Sequence, residues 1–220
     1  MNNIHNYLEH TDLRAIITDK DIDRLVDEAI QYKFKGLCIP PFWVKKAKRE
    51  LGNADVLLST VVGFPLGYHM TETKIEEINQ AIKTGADEID MVMNMSAFKT
   101  GLPWTKIELA KCASLCHEHF KQLKVIIETA YLSDDEIVTA CKLCTDAGVD
   151  FVKTSTGFAG EGAKEEHVRL MRKSLPSNVG IKASGGIRDL ATAVRMIEAG
   201  ADRIGTSSGI AIVNQATKEK

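Results

Sequence analysis

Two lysines interrupt otherwise apolar runs of strand length. Lys153 stands in Asp150-Phe151-Val152-Lys153-Thr154-Ser155-Thr156-Gly157-Phe158, and Lys182 in Gly180-Ile181-Lys182-Ala183-Ser184-Gly185-Gly186-Ile187-Arg188. A lysine inside a strand buried on both faces is costly unless it is paired or used. The two runs are consecutive in the alternation of strands and helices, which predicts neighbours about 4.8 Å apart. At roughly 6 Å and an effective dielectric near 20, their repulsion is about 3 kcal/mol, a hundredfold in acidity. One of the two is then expected to be substantially neutral near pH 7, and a neutral amine beside a cationic one is nucleophilic toward carbonyls. A third apolar run, Ile89-Asp90-Met91-Val92-Met93-Asn94, carries Asp90, a candidate to hold the second lysine and relay protons. The competing reading makes each lysine a structural ion pair with Asp90 or Glu128, because such pairs also perturb acidity.

A second signal suits an anion. Ser184-Gly185-Gly186-Ile187-Arg188 and Gly205-Thr206-Ser207-Ser208-Gly209 each lead from a strand into a helix. Glycines let the backbone approach a phosphate, exposed N–H groups and a helix N-terminus favour it, and hydroxyls add donors. A Gly-Gly turn alone is more often just a tight connection, but two such loops fall where barrels bind phosphate. Cys141-Lys142-Leu143-Cys144, and Cys112 with Cys116, His117 and His119, superficially suit a metal or redox role. Both cysteine pairs lie on apolar helix stripes, so core packing is the better reading and no metal is expected. Cys38 reads as core too, near the mouth of the site.

Those residues need elements to hold them. Gly85-Ala86-Asp87-Glu88-Ile89-Asp90, Gly148-Val149-Asp150-Phe151-Val152-Lys153 and Gly200-Ala201-Asp202-Arg203-Ile204-Gly205 share one grammar, and Lys35-Gly36-Leu37-Cys38-Ile39 is a looser copy. The glycine can take the left-handed cap that ends a helix, and a strand-length apolar run follows the Asp. Further runs are Val56–Gly63, Leu123–Glu128, Val179–Ala183 and a weaker one near Tyr7–Thr11. The eight candidates recur roughly every 28 residues, close to the ~30 of one βαβ unit. Between them, Ser133-Asp134-Asp135-Glu136 is a capping box opening a helix with the stripe Ile137, Ala140, Cys141, Cys144. Leu109, Cys112, Ala113, Cys116 repeat that spacing, as do Leu190, Ala193, Val194, Ile197; Ile75, Ile78 and Ile82 form a similar stripe. The alternation predicts a single-domain (β/α)8 TIM barrel over residues 1–220, with active groups at the C-terminal strand ends. An open doubly wound sheet is the main alternative, though no strand is followed by a dinucleotide fingerprint.

Composition bounds the partners. The chain of 220 residues has 28 Lys plus Arg against 30 Asp plus Glu, a formal charge of −2, and 44% apolar residues. That balance argues against nucleic-acid binding, and no apolar run reaches the ~18–20 residues of a membrane helix. The first residues, Met1-Asn2-Asn3-Ile4-His5-Asn6-Tyr7, carry no secretory signal pattern, and five cysteines fit reduced thiols in the cytoplasm. The polar end Ala216-Thr217-Lys218-Glu219-Lys220 reads as frayed.

Taken together, Val61-Val62-Gly63-Phe64-Pro65-Leu66-Gly67, Gly85 through Val92, Lys124-Val125-Ile126-Ile127-Glu128-Thr129, Phe151 through Phe158, Lys182 through Arg188 and Arg203 through Gly209 resemble the deoxyribose-phosphate aldolase family. The resemblance runs from near His10 to near Gly209. It implies a (β/α)8 barrel that reversibly cleaves 2-deoxy-D-ribose 5-phosphate to D-glyceraldehyde 3-phosphate and acetaldehyde, without cofactor or metal. Lys153 matches the Schiff-base lysine, Lys182 the second lysine that perturbs it, and Asp90 the acid/base aspartate. Gly157, Gly185, Gly186, Ser207 and Ser208 match loops that hold the substrate phosphate. The partners implied are a phosphorylated sugar and aldehydes, and a homo-oligomer, dimer or tetramer, is expected. Glu9, Pro40 and Phe158 depart from the family's common Asp, Asn and Lys. Competing functions are another Schiff-base aldolase or transaldolase, separated by its donor, and a non-catalytic sugar-phosphate binding protein, which would never become covalently reducible.

Overall fold

The structure is a computed structural model that describes residues 3–218. Eight strands, β1 (Leu8–Thr11), β2 (Gly36–Ile39), β3 (Leu57–Val62), β4 (Glu88–Val92), β5 (Gln122–Ile126), β6 (Phe151–Lys153), β7 (Gly180–Ser184) and β8 (Arg203–Thr206), pair in chain order. All pairings are parallel, and β8 returns to β1, so the sheet is a closed barrel and not the open alternative. Around it lie α1 (Asp19–Gln31), α2 (Val44–Leu51), α3 (Thr71–Thr84), α4 (Met95–Lys99), α5 (Trp104–Glu118), α6 (Asp134–Asp146), α7 (Glu165–Ser174), α8 (Leu190–Glu198) and α9 (Gly209–Lys218). This is the (β/α)8 fold that the alternation predicts. Ala216–Lys218 belong to α9 rather than to a frayed end, while Glu219 and Lys220 lie outside the described residues. Among the described residues no helix is long and apolar enough to cross a membrane.

The repeated Gly-x-Asp grammar has a mechanical meaning. Gly85, Gly148 and Gly200 take φ of 110°, 77° and 115°, the left-handed turn that stops each helix. Each following Asp then grips the first part of the preceding strand by both backbone groups. Asp87 N–H donates to Leu58 O at 2.7 Å while its carboxylate accepts the Leu58 N–H at 3.1 Å. Asp150 does the same to Leu123, at 3.1 and 2.8 Å, and Asp202 to Ile181, at 2.8 Å in both directions. In the looser copy Lys33 takes the glycine's place, at φ 53°.

The apolar core is a shell between strands and helices. Ile137, Ala140, Cys141 and Cys144 of α6 and Leu109, Cys112, Ala113 and Cys116 of α5 are all buried, as their spacing predicts. The Ser133–Glu136 capping box is formed. On α8 the buried face is Leu190, Ala193 and Met196, with Val194 and Ile197 only partly covered. On α3 it is Lys74, Ile78 and Ala81, with Ile75 and Ile82 at the margin. The stripe is displaced because Lys74 turns inward, donating to Val92 O at 2.9 Å and to Glu108 at 2.7 Å.

Candidate active site

Side chains from β1, β4, β5, β6 and β7 can meet only in the middle of the barrel, and there the filling is ionic. Lys153 and Lys182 are register partners on adjacent strands, and both ammonium groups donate to the same oxygen, Asp90 Oδ2, at 2.8 and 2.7 Å. Lys124 approaches Asp90 Oδ1 at 3.2 Å and Glu88 at 2.5 Å, and Lys182 also pairs with Glu9. Three lysines and three carboxylates therefore share one buried compartment, each side chain 3% exposed or less.

Glycines make the space. A Cβ on Gly205 would lie 3.1 Å from Lys182 Cε and 3.0 Å from Ser184 Cβ. One on Gly180 would lie 2.3 Å from the Phe151 ring, which closes the lower barrel with Arg203 5.4 Å above it.

Burial alone would raise the Asp90 carboxyl, but Lys124, Lys153 and Lys182 outweigh it and hold the group well below the usual carboxylate range. Burial likewise opposes the charge on Lys182, yet Asp90 and Glu9 push its ammonium well above the usual lysine value. Lys182 is thus held as a cation by the two carboxylates it faces. The lysines' carboxylate partners are Asp90 and Glu9, not Glu128. The run Leu123–Glu128 leaves the sheet at Ile126, and Glu128 turns toward Thr156.

Above the lysines, at the C-terminal strand ends, opens a cavity of about 510 Å³. Lys153 lies in its wall, together with Gly157, Gly185, Gly186 and Ser207 from three successive loops. Ser208 does not line it; its N–H donates to Thr206 Oγ1 at 2.9 Å. Gly185 and Gly186 take φ of 88° and 78°, and the loop after β6 crosses so near that a Cβ on Gly162 would meet Gly185 O at 2.2 Å. Arg14 and Arg188 bring positive charge to the wall. Arg14 is held by Asp12 in a fork, at 2.9 and 2.6 Å. Asn94 caps α4 through the Ala97 N–H at 3.1 Å instead of facing this cavity. Cys38 is buried in the barrel, its thiol pushed up to about 11 by burial. Burial pushes Cys112, Cys116 and Cys141 up to about 12, in keeping with packing residues.

Lys124 and Glu88 are not singled out by the sequence, and Glu9 stands out there only as a departure from the family's common Asp. Lys124 carries the same signal as its two neighbours, a lysine in an apolar strand, but lies deeper than the strand end where reactive groups are sought. Arg14 carries no signal of its own, being a single charge in the irregular segment between β1 and α1.

Barrel, paired lysines and loop-lined cavity together place the chain in the class of (β/α)8 aldolases. It belongs to the DeoC/LacD family of aldolases, whose family model matches residues 6–215. Deoxyribose-phosphate aldolase of Thermococcus gammatolerans is 50% identical over 216 residues, 97% of this chain and 96% of that one. Among solved structures, the aldolase QR15 superposes with a TM-score of 0.94 at 41% identity, covering 100% of this chain and 98% of its own. The deoxyribose phosphate aldolase of Aeropyrum pernix, solved as a tetramer, gives 0.90 at 31%, covering 100% and 93%.

Proposed function

We propose that this aldolase reversibly cleaves 2-deoxy-D-ribose 5-phosphate to D-glyceraldehyde 3-phosphate and acetaldehyde through a Schiff base on Lys153. The observation that carries the reading is Lys153 in the wall of a cavity lined by glycine-bearing loops, with Lys182 sharing its carboxylate partner. The names of the relatives supply the substrate; the geometry supplies a way to turn it over.

Lys153, as the free amine, attacks the C1 aldehyde, and loss of water leaves an iminium. Acetaldehyde keeps C1 and C2, so the bond that breaks is C2–C3. Its electron pair flows into the iminium to form an enamine while the C3 hydroxyl gives up its proton. Glyceraldehyde 3-phosphate departs, C2 of the enamine takes a proton, and water releases acetaldehyde from Lys153. Asp90 and Lys182 are the proton carriers of this scheme. Asp90 is a weak base while three ammonium groups face it; an enamine nitrogen on Lys153 withdraws one of them and strengthens it. Because the iminium is itself the electron sink, the scheme calls on no metal or cofactor.

The phosphate belongs at Gly157, Gly185, Gly186 and Ser207, with Ser208 beside them at the start of α9 and Arg188 supplying charge. The whole chain, 1–220, acts as one cytoplasmic unit and assembles as a dimer or tetramer, which light scattering on the purified protein would measure. The decisive experiment is incubation with acetaldehyde and borohydride followed by peptide mapping. A single ethyl group on Lys153, absent in Lys153→Ala, is expected; an adduct on another lysine sinks the assignment. A folded protein with no adduct leaves a binding protein or a different donor.

A further inference from the structure

Glu128 has no task in that reaction, yet it is placed at a cost. Its backbone sits at φ 45°, ψ 73°, a left-handed conformation that a residue with a side chain rarely adopts unless its surroundings enforce it. They do so on both sides: Ile127 N–H donates to Lys153 O at 3.0 Å and Thr129 N–H to Thr154 O at 2.9 Å. The turn thus follows the strand that carries the nucleophile. The Glu128 side chain, buried, uses a single oxygen. Oε2 accepts the Thr156 N–H at 3.1 Å and also the Thr156 hydroxyl. That hydroxyl oxygen in turn accepts the Phe158 N–H at 3.0 Å. One carboxylate oxygen therefore sets the backbone from Thr156 to Phe158, on either side of Gly157 at φ 83°.

All three of those residues line the active-site cavity, whereas Glu128 does not. The second carboxylate oxygen, Oε1, is buried with no partner. Leaving a buried polar atom unpaired is expensive, and such atoms in a folded protein call for an explanation. Holding a loop together does not require a buried carboxylate, but fixing two donors of one residue at a single point does favour one. Satisfied in this way, Thr156 presents neither its N–H nor its hydroxyl proton to the cavity, and Gly157, between the two tied residues, is held in the cavity lining.

We propose that Glu128 is a positioning residue: it acts through Thr156 to fix the loop after β6 in the shape that receives the phosphate end of the substrate. This rests on the reading of the cavity as a sugar-phosphate site, and the test separates the two. Inorganic phosphate is titrated calorimetrically into the wild-type protein, Glu128→Ala, Thr156→Val, the double variant and Thr156→Ser, alongside kinetics with deoxyribose 5-phosphate. Glu128→Ala and Thr156→Val are each expected to weaken phosphate and raise KM at least tenfold, with the double variant no worse than either and Thr156→Ser near wild type. The Lys153 adduct with acetaldehyde should form in Glu128→Ala at the wild-type rate, which a merely damaged barrel would not allow. Unchanged phosphate affinity, additive losses in the double variant, or loss of the adduct in step with phosphate overturns the proposal. If Glu128→Ala does not fold, the contrast between Thr156→Val and Thr156→Ser decides: a tenfold gap supports it, equality overturns it. A wild-type protein that binds phosphate but leaves deoxyribose 5-phosphate intact refutes the substrate and not Glu128; one that binds no phosphate refutes both.

Discussion

Asp90 is the residue on which the site turns, because it meets all three lysines within 3.2 Å. Asp90→Asn keeps the shape and removes the charge, leaving buried ammonium groups without their shared partner. Breaking a buried pair from one side typically costs about 3–5 kcal/mol, so the urea midpoint of Asp90→Asn should fall by a corresponding amount; a midpoint within error of wild type would contradict the geometry. Lys182→Met should still trap acetaldehyde on Lys153 while turnover falls by roughly 10²–10⁴, the usual size of a lost proton-transfer group. Equal loss of trapping and turnover would instead make Lys182 necessary for the nucleophile itself. Lys153, Lys182 and Asp90 were legible because a charged residue in an apolar strand is out of place. Glu9 was not, since its neighbours His10 and Thr11 are polar as well and nothing marks the strand as buried.

At the scale of the elements, two kinds of small residue do separate work. Gly205 gives Lys182 its room, so Gly205→Ala is expected to cost about 1–3 kcal/mol through overpacking and to lower kcat more than it raises KM. Asp87 works at the opposite end of the barrel, gripping Leu58. Asp87→Ala should cost about 1–3 kcal/mol by stranding a buried N–H, with kcat/KM unchanged; a kinetic defect there would mean that strand register reaches the site. The number, order and approximate starts of the strands could be read from the chain because the Gly-x-Asp junction recurs and the apolar runs are strand-length. Helix faces were less legible. On α3 one inward residue is a lysine, which apolar periodicity does not count, and another is Ala81, whose small side chain weighs less than the isoleucine beside it, so the pattern favours Ile75 and Ile82 over Lys74 and Ala81. Closure of the sheet is a property of all eight pairings and no single run announces it.

For the molecule as a whole, the ionic interior dictates how stability follows pH. Burial would raise Asp90 and Glu9, but the lysines hold both below their ordinary values. Their contribution is therefore present above about pH 4–4.5, the range of free carboxyls, and is lost as pH falls through the lowered values. Lys124 and Lys182 are raised despite burial by facing carboxylates, so theirs is present below about pH 10.4 and is lost as pH rises through the raised values. The urea midpoint is expected to be level in between as far as these groups govern it, and to drop on both sides. A midpoint that climbs on acidification below about pH 4 would show that the carboxylates are not paired as described. The same interior has a thermal consequence. The penalty for stripping water from ions shrinks on heating, because ion hydration carries a strongly negative entropy, whereas apolar burial gains little more. The balance of Lys124, Lys153 and Lys182 against Asp90, Glu9 and Glu88 is therefore expected to improve on heating relative to the apolar shell around it.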